Sequence, residues 1–224
     1  MRSTLAEQAY SDLRGQIMSG RLPAGVRLMP EELASMLAIS PTPVKEALVR
    51  LATDGLVKTV TRRGVVVRQF SRADVAELYE ARLLVEGYAL ERGFATAAVS
   101  PAFVLALQSV QTRLVARRTL NTEEGLTGAL ELDRAFHIRL VALASNRSIA
   151  EWHVRMLMQT HTMRVYSLAS YPLGRLQAEH EAILAALRAG NAPAARAALQ
   201  RHLTLSRDEL LSRLPEAVPE GSSP

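Results

Sequence analysis

The sequence predicts a mainly α-helical chain in two parts: a small helical unit closed by a β-hairpin, then an all-helical bundle. Three observations carry that reading. Hydrophobic residues make up 48% of the 224 positions but aromatics only 4%, an Ala- and Leu-rich balance that favours helices over β-sandwiches. The β-branched runs LVKTVT and VVVRQ cluster between residues 56 and 69. From Ser71 almost to the end, apolar residues recur at helical spacing between short turns. The chain is long enough for either one large core or two small ones.

The elements follow in order. A first helix gives way to SGRLPAGVRL, a turn punctuated by Gly and Pro. A short helix over PEELASMLA follows, with Pro30 suited to its first turn and Glu31 and Glu32 complementing its dipole. After the brief turn AIS comes a third helix over TPVKEALVRLATDG. Thr42 is its expected N-cap, with Pro43 after it and Gly55 as its stop. The two β-branched runs, joined by Arg62-Arg63-Gly64, read as a two-stranded hairpin. Taken singly, each piece has an ordinary explanation as core packing or a solvated turn. Their order describes a winged helix-turn-helix.

Charge agrees with that order. The formal net charge is +5, and residues 1–70 hold ten Lys/Arg against six Asp/Glu (+4), while residues 71–224 hold seventeen against sixteen (+1). A basic excess in the first third points to an anionic partner there, and the order of the winged helix-turn-helix makes double-stranded DNA the expected one. The third helix is expected in the major groove, with Ser40, Thr42 and Lys45 toward the bases and Arg50 nearer the backbone. The tip Arg62-Arg63-Gly64 is expected to meet adjacent backbone or minor groove, Gly64 permitting close approach.

Residues 8–70 resemble the GntR superfamily of bacterial transcription regulators, on SGRLPAGVRLMPEELASMLAISPTPVKEALVRLATDGLVKTVTRRGVVV. The resemblance implies a homodimeric regulator, expected to be a repressor, on a palindromic operator. Family members tend to carry Arg where this chain has Pro41 and Lys45, and often a basic residue near Glu31. Lys45 keeps the charge without the bidentate fork that reads guanine well, and Pro41 and Glu31 remove donors. The DNA-binding role carries over; the operator sequence does not.

The second part, residues 71–213, reads as about six helices. The first opens at Ser71 and offers Val75, Leu78, Leu83, Val85 and Leu90 for packing; others follow around 101–118, 123–145, 147–169, 174–189 and 192–212. Residues 214–224, rich in Pro, Gly and Ser, are expected to be a disordered tail. The chain has no cysteine, which excludes disulfides and Cys-ligated zinc. The first twenty residues lack an apolar run of signal-peptide type. Gly93–Thr112 is uncharged but carries too many polar residues for a membrane span. A cytoplasmic protein with no membrane partner is expected.

In LDRAFHIRLVALASN, Asp133 and His137 stand four apart, on one face of a helix. By spacing alone they are a metal site, a catalytic pair or ordinary helical neighbours. Of the other histidines, His180 and His202 flank the turn Arg188–Ala192 at nearly equal distances, so a helical hairpin can bring them side by side. Three imidazoles and a carboxylate suit a divalent transition metal: Zn, Ni, Mn or Fe. His153 and His161 share a stretch with Trp152, Met156, Leu157 and Met163 and read as core or interface filling.

Residues 71–212 resemble the FadR-type C-terminal (FCD) domain of the same superfamily. The carrying pieces are Glu80-Ala81-Arg82 with Glu86, Asp133-x-x-x-His137 with Asn146, and the hairpin from Glu179-His180 to His202. The resemblance implies metal ligands at Asp133, His137, His180 and His202, and a small organic acid as effector. Arg82 is a candidate to hold the acid's far end, its alternative being an ion pair with Glu86. Two other functions compete with this one. A metal-free acyl-CoA sensor is opposed by the presence of all four ligand types. A metal-dependent hydrolase would need a general base, and the sequence supplies no evident one. A non-enzymatic regulator is expected.

Overall fold

A computed structural model describes residues 3–61, 64–118, 122–166 and 173–214, which form two compact units. The first comprises residues up to Phe70 together with Met158–Tyr166; the second comprises Ser71–Leu157 and the chain from Ser167.

In the first unit, α1 (Leu5–Met18) is opened by a capping box in which Thr4 and Glu7 bond each other's backbone N–H. Ala9, Leu13 and Ile17, one turn apart, give it a buried stripe. α2 (Pro30–Leu37) and α3 (Pro41–Thr53) are joined by three residues, the first of which, Ala38, adopts left-handed backbone at φ 54°. The N-cap of α3 is Ser40 rather than Thr42. Pro41, with fixed φ and no N–H, takes the first helical position and leaves the extended residue before it as the cap. Val44, Ala47, Leu48 and Leu51 face the core.

The wing has three strands, not two. β2 (Val57–Val60) and β3 (Gly64–Val67) form the expected hairpin, and β1 (Arg27–Leu28) pairs antiparallel with β3 on its other side, in the order β1-β3-β2. Two residues are too few to show alternation, so β1 left no periodic signal in the sequence. Gly64 opens β3 at φ +73°, a region that glycine enters without strain. The residues Met158–Tyr166 add polar anchors to this unit. Gln159 Nε2 donates to the Asp54 carbonyl at 3.1 Å, and Tyr166 Oη donates to the Leu22 carbonyl at 2.9 Å.

The second unit is helical: α4 (Arg72–Ala95), α5 (Pro101–Arg118), α6 (Glu123–Ala142), the first half of α7 (Arg147–Val165), α8 (Leu173–Arg188) and α9 (Ala192–Leu211). Ser71 caps α4 as expected, in a box with Asp74. Asn146 caps α7, accepting from the Ile149 N–H at 3.1 Å. α8 and α9 pack as the expected hairpin, α4 lies on α9, and α5 packs on α6 and α8. Of the residues expected to pack from α4, Val75 and Leu90 are fully buried, whereas Leu78, Leu83 and Val85 are half-buried. The rest of its buried face is Tyr79, Arg82, Glu86, Gly87, Ala89 and Gly93. A Cβ on Gly93 would stand 2.9 Å from the Leu143 side chain, so this glycine sets how closely the chain after α6 approaches α4. No helix among the described residues is long and apolar enough to cross a membrane.

Candidate metal centre and nucleic-acid interface

Four of the buried polar side chains in the helical unit converge on one point. Asp133, His137, His180 and His202 each offer a ligand atom, and these atoms all lie within 4.8 Å of one another. The unbroken turn of α6 sets His137 Nε2 3.7 Å from Asp133 Oδ1. The α8–α9 hairpin brings His202 Nε2 to 3.1 Å from His137 Nε2, and His180 Nε2 to 3.3 Å from Asp133 Oδ1. All four side chains are buried. The pairing of His180 with His202, expected from the turn, is therefore present, and both rings meet the Asp133/His137 pair.

The outer nitrogens explain why the inner ones converge. His137 Nδ1 meets Glu86 Oε2 at 2.7 Å, His180 Nδ1 meets Gln111 Oε1 at 2.9 Å, and His202 Nδ1 meets Glu179 Oε2 at 2.9 Å. Each outer partner is an acceptor, so in the neutral ring each Nδ1 carries the proton and each Nε2 presents its lone pair inward. Donors held at about 2.1 Å from one ion stand roughly 3–3.5 Å apart, and three of the separations here are 3.1, 3.3 and 3.7 Å. Burial, donor chemistry and tautomer therefore all fit a divalent transition ion held by Asp133, His137, His180 and His202.

Glu86 is the hub of the outer layer. It is fully buried, and its Oε1 accepts from Arg82 Nε at 2.8 Å and from His153 Nε2 at 3.0 Å, while Oε2 takes His137. Burial alone would raise its carboxyl, but Arg82 and His137 beside it hold it well below the usual carboxylate range. For His137 burial pulls the other way, and the Glu86 carboxylate outweighs it to raise the imidazole above its ordinary value. His153 stays lowered by burial. Core filling is therefore only part of what His153 does, because it is buried and bound to the carboxylate that orients a candidate ligand. His161 is also buried, with Nε2 3.2 Å from the Met18 carbonyl, in the first unit. Arg82 makes the ion pair with Glu86, and its guanidinium carbon lies 5.1 Å from the Tyr79 ring centre. Only Nε is used: Nη1 and Nη2 are buried and have no hydrogen-bond partner among the described residues.

On the first unit, Ser40, Thr42, Lys45 and Gly64 are exposed. Thr42, Lys45 and Val49 fall on one stripe of α3, and Val49 is 67% exposed, an apolar side chain that sequence patterning did not single out. Lys45 Nζ stands 3.9 Å from Glu31 Oε1 on α2, so an acidic group belongs to the same face. Arg50 is exposed too, but its guanidinium lies 4.3 Å from the centre of the Tyr10 ring, against α1. Arg62 and Arg63 lie outside the described residues.

Comparison with known proteins agrees with both halves. Residues 5–67 match the model described as "Bacterial regulatory proteins, gntR family", and residues 77–205 match the FCD domain. An uncharacterised HTH-type transcriptional regulator of Streptomyces ambofaciens is 31% identical over 205 residues, covering 90% of this chain and 83% of the relative. The "Probable D-xylose utilization operon transcriptional repressor" of Paenarthrobacter nicotinovorans is 28% identical over 218 residues, covering 90% and 87%. A solved chain from Rhodococcus sp. RHA1, described as a GntR transcriptional regulator, superimposes with a TM-score of 0.81 at 26% identity, covering 94% of this chain and 99% of that one. These are regulators rather than enzymes, which agrees with the exposed third helix and wing. The chain belongs to the gntR family of bacterial regulatory proteins, a DNA-binding transcriptional regulator whose winged helix is followed by an FCD domain.

Proposed function

We propose that this regulator is a homodimeric repressor whose affinity for a palindromic operator is set by a small carboxylic acid captured at a metal centre in the helical domain. The observation that carries the reading is the convergence of four buried donors with every outer imidazole nitrogen already given to an acceptor. A buried cluster of this kind with no ion-binding role would crowd three inward lone pairs against a carboxylate, an arrangement that costs free energy. A bound divalent ion would supply positive charge and open positions for a carboxylate oxygen.

The chain's own residues do the rest. Asp133 and His137 from α6, His180 from α8 and His202 from α9 tie three helices to one point. Glu86 adds α4, and through Arg82 it fixes a guanidinium whose Nη1 and Nη2 have no partner among the described residues. A planar pair of buried N–H donors suits the far carboxylate of a small acid. α4 follows the wing directly in the chain, so a shift in it on effector binding reaches the reading head. The DNA-binding role falls to residues 1–70 and the effector and dimer roles to residues 71–213, of which Met158–Tyr166 group with the first unit, in the cytoplasm where operator DNA is found.

On DNA, Ser40, Thr42 and Lys45 face base edges, the tip Arg62-Arg63-Gly64 meets the adjacent backbone or minor groove, and Arg50 reaches a phosphate by leaving Tyr10. Two-fold operators call for two-fold proteins. The exposed Leu84 and Tyr88 of α4 and Trp152 of α7 supply apolar surface for the dimer. The test is operator binding by fluorescence anisotropy with metal-loaded and metal-stripped protein, each across a panel of small mono- and dicarboxylic acids. The reading expects one acid class to change the operator Kd at least fivefold, and only when metal is present. Equal responses with and without metal would overturn it.

A further inference from the structure

The three histidines do not share one kind of outer partner. His137 and His202 give Nδ1–H to carboxylates, whereas His180 gives it to an amide. That amide belongs to Gln111, which is 2% exposed on α5, a helix that supplies none of the four converging donors. Its orientation is not arbitrary. Nε2 of Gln111 stands 3.2 Å from the Gln177 carbonyl, which can only accept, so the amide nitrogen must face Gln177 and Oε1 must face His180. An oxygen at that place forces the proton of His180 onto Nδ1 and turns the Nε2 lone pair toward Asp133. Phe136 completes the clamp, stacked on the His180 ring with centroids 4.0 Å apart and planes 7° apart. The amide fixes the ring's rotation about its long axis, and the stack fixes its plane.

We propose that Gln111 is a positioning residue of the metal centre: it sets the tautomer and angle of His180 and so decides whether α8 contributes a ligand. This rests on the metal reading of the centre. Without the amide oxygen, the 2.9 Å bond that holds Nδ1–H inside the buried site is lost, and the ring is released to flip or to move its proton to Nε2. Either change withdraws the lone pair from the centre. Outer-layer partners of this type typically govern metal affinity by 10–100-fold. α5 thereby joins the helices held by the centre, although it carries no ligand.

The test compares full-length wild type with Gln111→Met, which matches the side chain in length but has no oxygen acceptor. Zinc affinity is read by competition with a chromogenic chelator, and the visible spectrum of the cobalt(II) form reports the number of imidazole ligands. Gln111→Met is expected to bind zinc 10–100-fold more weakly, with an altered cobalt spectrum. The zinc-induced rise in thermal midpoint should shrink in Gln111→Met, a readout that loss of packing alone does not move. Should Gln111→Met fail to fold, Gln111→Asn withdraws the oxygen by one methylene and carries the same expectation. Wild-type affinity in Gln111→Met, with an unchanged cobalt spectrum, would overturn the proposal. A wild type that binds no zinc would instead overturn the metal reading beneath it.

Discussion

Replacing Glu86 with leucine removes a carboxylate that faces a guanidinium and two imidazoles inside the helical domain. Glu86 and Arg82 are both fully buried, 2.8 Å apart, with His137 at 2.7 Å and His153 at 3.0 Å on the same carboxylate. Truncating one partner of a buried ion pair leaves the other charge in a medium that cannot solvate it. That costs about 3–5 kcal/mol, which for a protein of this size lowers the thermal midpoint by on the order of 10 °C. The sign with pH follows from the depressed carboxyl. In the folded chain Glu86 titrates well below the ordinary carboxylate range. Its contribution is therefore complete above that ordinary range, and is lost as pH falls toward and through the folded value. Chelator-treated full-length protein, melted by circular dichroism from pH 7 downward, reads this without any contribution from metal. Glu86→Leu should melt about 10 °C low at pH 7, with a gap that narrows in acid. The double variant Arg82→Met/Glu86→Leu should recover part of the loss, because no charge is then stranded. A single variant within about 2 °C of wild type, or a double variant no better than the single, would refute the reasoning.

Other expectations follow from the same geometry. His180→Ala or His202→Ala should lose the metal, melt lower and lose the effector response, yet retain DNA binding in an electrophoretic shift. Lys45→Ala should cost about 1–3 kcal/mol at the operator if its ammonium reads a base, measured by anisotropy against a scrambled duplex. Arg62→Ala and Arg63→Ala should weaken all DNA alike and flatten the dependence of log Kd on log salt, by about one unit of slope for each phosphate no longer neutralised. Ser71→Ala should destabilise α4 by about 1 kcal/mol, seen as a small drop in midpoint, because Asp74 N–H loses its cap.

Some of this architecture is written locally and some is not. The helix boundaries sit where Pro30, Pro41, Ser71 and Gly190 are, because caps and breakers act over one turn and leave their mark in adjacent letters. Asp133 and His137 were legible for the same reason. His180 and His202 were legible because a hairpin is mirror-symmetric about its turn. By contrast, β1 gains its partner from across the unit, and nothing in Arg27-Leu28 foretells it. The Arg82–Glu86 pair was legible at its i,i+4 spacing, but the reach of Glu86 to His137, of Gln111 to His180 and of His153 to Glu86 was hidden. These contacts span 51, 69 and 67 residues of sequence, and only the packing of α4, α5 and α7 brings them together. Thr42 misled as a cap because two prolines, Pro41 and Pro43, both suit a first turn. The earlier one takes the position, since the chain becomes helical as soon as its φ is fixed.

The central claim is that four buried side chains hold one divalent ion. It is tested most directly by titrating chelator-treated protein with zinc and measuring bound metal by mass spectrometry of the native chain. The account predicts one tightly held ion per chain in the wild type and none in His137→Ala/His202→Ala, with both proteins folded by circular dichroism. An ion retained at full stoichiometry in the double variant, or a wild type that takes up none, would contradict it.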